Sequence, residues 1–192
     1  MRKANYQEKD VIVEMLTQSF ESNQSVNYVV KQDGKKIGRI RALMDYSFEV
    51  CKLFGDVFIS DDKKACALVM YPDKKKTSLK AVLLDIKLII QCTGIRNIKR
   101  TLNREALIKK IQPKELMTYL WFIGVKPKDQ NKGFGSNILQ SIIEYSNQHN
   151  RPIYLETSTV RNLPWYNRFG FEIYSEQDLS YRLYFLKRVK QK

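Results

Sequence analysis

Gln130, Gly133 and Gly135 stand in the spacing Gln-x-x-Gly-x-Gly. Before them runs Thr-Tyr-Leu-Trp-Phe-Ile-Gly-Val, residues 118–125, an aromatic and aliphatic stretch that reads as a buried strand stopped by Pro127 and Asp129. After them Ile138, Leu139, Ile142, Ile143 and Ser146 share one face of an amphipathic helix. Strand, glycine loop and helix N-terminus in that order favour an anion. The first helical turn has unpaired N–H groups and the positive end of the dipole, and glycines let the backbone come close to a phosphate. A loop that merely turns the chain is the plainer alternative.

Two better-known phosphate loops are excluded. The dinucleotide fingerprint needs a third glycine, where this chain has Ile138. The P-loop needs Gly-Lys-Ser or Gly-Lys-Thr, and this loop reads Gly-Phe-Gly-Ser.

A second stretch carries further chemistry. Residues 153–171 read Ile-Tyr-Leu-Glu-Thr-Ser-Thr-Val-Arg-Asn-Leu-Pro-Trp-Tyr-Asn-Arg-Phe-Gly-Phe. Together the two stretches resemble the GNAT superfamily of N-acetyltransferases, whose acyl-CoA loop is Gln/Arg-x-x-Gly-x-Gly/Ala. The compact run Arg161-Asn162-x-Pro164-x-Tyr166, ending in Gly170-Phe171, is most similar to the branch containing puromycin N-acetyltransferases. The specific motifs cover roughly residues 118–175; before them only the order of elements matches.

The resemblance implies an enzyme that moves the acetyl group of acetyl-CoA to an amine by direct attack in a ternary complex. It implies that main-chain amides from Gln130 through Asn131, Lys132, Gly133, Phe134 and Gly135 to Ser136 hold the pyrophosphate. It implies that the strand edge at Ile123 and Val125 bonds the pantetheine arm, with the Ile123 amide towards the thioester oxygen. Asn162 matches the family's asparagine beside the coenzyme arm, and Tyr166 its usual general acid. Each has a structural alternative: Asn162 as a helix cap, Tyr166 as a packed core tyrosine, Phe134 as a plug under the loop, Lys132 as a solvent-facing side chain.

Many relatives carry an acidic residue on the core strand, and residues 118–125 contain none. Glu156 on the next strand is the first candidate base, although an outward-facing carboxylate fits the pattern as well. Glu49 is a second, and a water chain a third. The acceptor, a small-molecule amine or a peptide, has no motif. Tyr46, Phe48, Tyr71, Tyr119 and Trp121 are pocket or core.

Charge bounds the partners. The net charge is +14, in small clusters such as Lys74-Lys75-Lys76, Lys109-Lys110 and the tail at 187–192. A solvated basic surface, steering of polyanionic coenzyme A and nucleic-acid binding all fit; the spread of the clusters argues against nucleic acid. The one histidine, His149, with no Cys or carboxylate cluster around it, builds neither a zinc site nor a Ser-His-Asp triad, and reads as a helix-end residue. No metal is expected. Cys51, Cys66 and Cys92 are odd in number and far apart, as in reduced core positions of a cytoplasmic protein. No run has membrane-spanning length; the segment 81–92 is broken by Asp85 and Lys87. The N-terminus has no signal-peptide core. No membrane partner is expected, and the protein is read as a monomer or homodimer.

The rest of the chain must position these residues. The pattern predicts a short strand within 1–7, a helix over 9–21, and an apolar run at 26–31. Ile37, Ile40, Met44, Phe48 and Cys51 mark a second helix ended by Gly55. A hairpin follows, 57–60 with 65–71. Residues 79–111 are helical by pattern with a break at Thr93-Gly94, and their apolar first half is expected to be buried. A short helix over 164–169 and strands at 171–174 and 181–186 finish the chain. This order predicts one α/β domain, 1–192: a mixed, mostly antiparallel sheet flanked by helices, with a parallel pair around the glycine-loop helix. The GNAT resemblance implies that this pair splays apart to hold the cofactor.

Overall fold

The computed structural model describes residues 1–189. Among these described residues seven strands form one sheet: β1 Arg2–Lys3, β2 Gly55–Ile59, β3 Ala65–Met70, β4 Thr118–Val125, β5 Ile153–Thr157, β6 Glu172–Asp178 and β7 Arg182–Arg188. Their order across the sheet is β1-β2-β3-β4-β5-β7-β6. Every neighbouring pair is antiparallel except β4 and β5. This is the expected mixed sheet. Of the basic tail, Lys190 and Lys192 lie outside the described residues.

Alternation along the strands divides the core in two. Val57, Ile59, Cys66 and Leu68 pack with helices α1 (Lys9–Phe20) and α3 (Lys36–Phe54). Phe58, Ala65, Ala67 and Val69 face the other way, onto helix α6 (Phe134–Gln148) through Ile138, Leu139, Ile142 and Ile143. Leu120 and Phe122, two residues apart on β4, would ordinarily share a face. They reach opposite cores because the pairing with β3 slips there: Val69 faces Leu120 but Leu68 faces Phe122, so Trp121 is an extra residue.

Two elements differ from expectation. Part of the apolar run at 26–31 is a helix, α2 (Gln24–Val29), capped by Asn23, whose side-chain oxygen accepts from the Val26 N–H at 3.0 Å. The stretch expected to be buried is helix α4 (Leu79–Leu88), and it has no buried residue. Leu88 packs against the first core, but among the described residues no element covers the opposite side of the helix. A π-turn, Ile89–Thr93, ends at Gly94 (φ +70°), the expected break, and helix α5 (Ile98–Ile111) follows.

Candidate active site

Strands β4 and β5 pair at Thr118 with Ile153 and Tyr119 with Tyr154, and nowhere further along. Beyond those rungs they diverge. On β3 the Ala65 carbonyl accepts from Ser60 N–H at 2.9 Å, on the β2 side. Alternation therefore turns the main-chain groups of Ala65 and Ala67 away from β4. Their partners Val125 and Ile123 accordingly aim N–H and C=O into the gap towards β5. The Val125 carbonyl is met there by the Ser19 hydroxyl at 2.8 Å and the Gln130 amide at 3.3 Å.

The gap opens into a cavity of about 1780 Å³ that runs from the glycine loop to the α5 side of the molecule. Ile123, Val125, Gln130, Asn131, Gly133, Gly135, Ser136, Glu156, Asn162 and Tyr166 all line it. Lys132 and Phe134, of the loop candidates, do not. Lys132 turns back to the Lys128 carbonyl at 2.7 Å and Asp129 at 3.5 Å. Phe134 packs against the α6 core with the Lys64 ammonium 4.5 Å from its ring centre, as expected of a plug.

The loop is built for close approach. Asn131 (φ +62°) and Gly133 (φ +86°) both adopt the left-handed conformation, which curls the chain into a concave turn before α6. Among the described residues, none of the six main-chain N–H groups of 131–136 donates a hydrogen bond. A Cβ on Gly135 would lie 3.4 Å from Val125 and 3.7 Å from Trp165. Trp165 donates to the Ser136 hydroxyl at 3.0 Å, tying helix α7 (Leu163–Arg168) to the loop.

Across the cavity Glu156 faces inward. Its carboxylate accepts from the Tyr119 hydroxyl at 2.5 Å and the Gln112 amide at 2.9 Å. Burial raises its pKa above the ordinary carboxylate value; the two hydrogen bonds and the Arg104 guanidinium partly oppose the rise. Arg104 is itself held by Tyr181 at 3.0 Å, Ser25 at 2.6 Å and Glu105 at 2.6 Å. Glu49 lies elsewhere. It is not in the cavity lining, and Lys9 takes its carboxylate at 2.7 Å.

Tyr166 is buried between Trp165 and Phe171, with ring centres at 4.7 and 5.5 Å. Among the described residues its hydroxyl has no hydrogen-bond partner, and burial pushes its pKa well up. Asn162 occupies the N-cap position of α7, but its side chain makes no capping bond. Its amide is left to the cavity.

Tyr46, Tyr119 and Trp121 line the cavity; Phe48 is core, and Tyr71 bonds Asp56 at 2.9 Å. His149 caps the end of α6 over Tyr145, as expected of a helix-end residue. Among the described residues no group of His, Cys, Asp and Glu is placed to hold a metal. Three residues beyond those read from the sequence complete the site: Gln112, Tyr119 as a partner of Glu156, and Arg104. The partners of Glu156 are 44 and 37 residues away in sequence, so no local pattern announces them.

Residues 103–171 match the family described as Acetyltransferase (GNAT) family. An uncharacterized N-acetyltransferase of Schizosaccharomyces pombe is 42% identical over 53 residues, 28% of this chain and 22% of that protein, so the chain matches about a fifth of its relative's length. Among solved structures, histone acetyltransferase HPA2 and related acetyltransferase from Corynebacterium glutamicum superposes with a TM-score of 0.68 at 18% identity, over 100% of this chain and 96% of that one. Arylalkylamine N-acetyltransferase 2 from Aedes aegypti gives 0.66 at 14% identity, over 98% and 97%. The chain thus has the GNAT acetyltransferase fold, and its residues 103–171, from α5 through the glycine loop to Phe171, match that family's own sequence pattern.

Proposed function

We propose that this chain is an acetyl-CoA-dependent N-acetyltransferase acting on a small-molecule amine or a peptide amine, with direct attack in a ternary complex. The observation that carries the reading is one cavity joining two features: the glycine loop at one end, where Asn131, Gly133, Gly135 and Ser136 line it with unpaired main-chain N–H groups, and a half-buried, hydrogen-bonded carboxylate at Glu156. Acetyl-CoA fits the first of these. The concave loop offers donors and a helix N-terminus to a pyrophosphate, and glycines keep side chains out of its way. Bound there, it supplies an acetyl group activated as a thioester.

The chain's residues do the rest. The main chain at Ile123 and Val125 faces the gap and can bond an extended arm, with the Val125 carbonyl shared with Ser19 and Gln130, and the Ile123 N–H is a donor for charge developing on the thioester oxygen. Glu156, with its raised pKa, takes the proton that an incoming ammonium must lose, directly or through water. The Tyr166 hydroxyl, uncommitted within the protein and protonated at neutral pH, donates to the departing sulfur. The Asn162 amide positions the coenzyme arm. Loop residues 130–136 hold phosphate mainly through the backbone, with the Lys132 side chain turned away.

The compact Arg161-Asn162-x-Pro164-x-Tyr166 run is our ground for placing the chain nearest the puromycin N-acetyltransferase branch. We take 1–192 as one domain on the ground that its described strands share a sheet. Three free buried thiols accord with the reducing cytoplasm. The test is thermal stabilisation by acetyl-CoA against NAD and ATP, followed by coenzyme A release over a panel of amines, peptides and aminoglycosides. A shift with NAD and none with acetyl-CoA overturns the reading. Acetyl-CoA binding without turnover on any acceptor would favour a non-catalytic binding module. Turnover only with nucleic-acid-associated amines would favour the basic surface as a recognition element.

A further inference from the structure

Helix α4 carries an apolar stripe that the fold does not use. Leu79, Val82, Leu83 and Ile86 fall at i, i+3, i+4 and i+7, within one arc of about 100°. Ile90 continues it into the π-turn, and these five side chains are between 42% and 78% exposed. The charges that interrupt the apolar run in sequence are turned onto α3. Asp85 accepts from Tyr46 at 2.7 Å, and Lys87 reaches Asp45 at 3.1 Å. The stripe is therefore continuous.

Charge along the segment that carries it is one-sided, with Asp45 and Glu49 of α3 pairing Lys87 and Lys80 on the covered side. Residues 74–115 hold 12 of the 34 Lys and Arg and 3 of the 20 Asp and Glu, a net +9 of the chain's +14. Lys74, Lys75 and Lys76 immediately precede the helix; Lys99, Arg100, Lys109, Lys110 and Lys114 follow it. We propose that α4 is an interfacial helix that docks the protein on an anionic lipid surface, its aliphatic stripe in the headgroup boundary and the surrounding lysines and arginines on the lipid charge.

Two features of the surface favour this occupant. A second copy would bring two strongly positive segments together, which charge repulsion opposes. A nucleic acid would be met by aromatic rings between the basic groups, whereas the stripe is wholly aliphatic. Aliphatic stripe plus basic surround is the composition of helices that lie in a membrane plane without crossing it. No described helix is long and apolar enough to cross a membrane. Asp85 and Leu88 of the same helix line the cavity, so docking sets its acceptor end beside the surface.

The experiment is co-sedimentation of the full chain with vesicles of phosphatidylcholine alone or mixed with phosphatidylserine, across a salt series. Sedimentation velocity without lipid runs in parallel. The wild type is expected to bind the mixed vesicles and to lose binding as salt rises. Leu83→Ser/Ile86→Ser should weaken binding tenfold or more, since both side chains are exposed and their loss leaves the core alone. Lys76→Glu/Lys99→Glu should abolish the preference for the anionic vesicles. Circular dichroism of each variant checks the fold. Absence of binding to anionic vesicles at low salt overturns the proposal, and so does binding that the Leu83 and Ile86 changes leave unaltered. A lipid-free dimer that those changes dissolve also overturns it and assigns the stripe to self-association.

Discussion

The Tyr119 hydroxyl donates to Glu156 at 2.5 Å across the one parallel strand pair in the sheet. The bond forms where the two strands still touch, and the cavity opens just beyond. Glu156 is thereby held at the root of the cleft with its orientation fixed from β4, while Gln112 at the end of α5 holds its other oxygen.

Glu156→Gln should lower kcat/KM by roughly 10²- to 10⁴-fold, the range for losing a positioned general base. In the wild type the acid limb of the rate profile should lie above pH 4.5, the group's ordinary value, because burial raises its pKa. The Gln variant should lack that limb. Stability follows the same group. A pKa raised on folding means that the stabilising contribution is complete below the unfolded value and is lost as pH rises through the folded one. Urea titrations from acid to neutral pH should show the wild type losing stability relative to Glu156→Gln. An identical pH dependence in the two proteins would remove Glu156 from both roles.

Tyr166→Phe keeps the ring between Trp165 and Phe171 and removes a hydroxyl with no hydrogen-bond partner among the described residues. Stability should therefore change by less than about 0.5 kcal/mol. Turnover should fall roughly 10²-fold with acetyl-CoA affinity nearly unchanged. Near wild-type turnover in the folded variant would leave leaving-group protonation to solvent.

At saturating acetyl-CoA, about a hundredfold over its dissociation constant, the wild type should gain roughly 2.7 kcal/mol. Gly135→Val should lose that gain, because its Cβ already stands 3.4 Å from Val125 and the added methyls crowd the loop. Gly133→Val should lose it for a different reason: there is room for a Cβ, but φ of +86° strains a β-branched residue by about 1–2 kcal/mol. Gly133→Asn, which tolerates that backbone, should retain more binding than Gly133→Val. Equal binding in all three would place the phosphates elsewhere.

The three cysteines should be inert. Burial pushes the Cys66 thiol up to about 12 and Cys92 to about 11, and Cys51 is raised by the same cause. A thiolate reagent at neutral pH should label none of them until denaturant is added. Rapid labelling of the native protein would show a local opening of the α1–α3 core.

The loop, its strand and its helix are legible in sequence because their determinants are local: two glycines at fixed spacing, a stop at Pro127, a periodic apolar face from Ile138. Tyr166 and Asn162 follow from a motif of the same kind. The inward turn of Glu156 is not local, since strand alternation alone leaves either face open until Tyr119 and Gln112 are placed. Residues 79–90 mislead for a related reason. Apolar content reads as burial, but burial needs a partner surface, and α3 covers only the side that carries Asp85, Lys87 and Leu88. Helix α2 escapes notice because six residues are too few for periodicity, and its one signal is the cap at Asn23.

The two-rung pairing of β4 with β5 also bears on how fast a ligand arrives. A continuous ladder would have to unzip before an extended molecule could take its bonds, and entry would then be gated by a slow rearrangement. Here the main-chain groups of Ile123 and Val125 are already parted from β5, with only side chains, Ser19 and Gln130, on the Val125 carbonyl. An incoming chain has no neighbouring strand to displace there. Association should accordingly be set by diffusional encounter and by the positive field of the protein, rising as ionic strength falls, with no lag from the sheet itself.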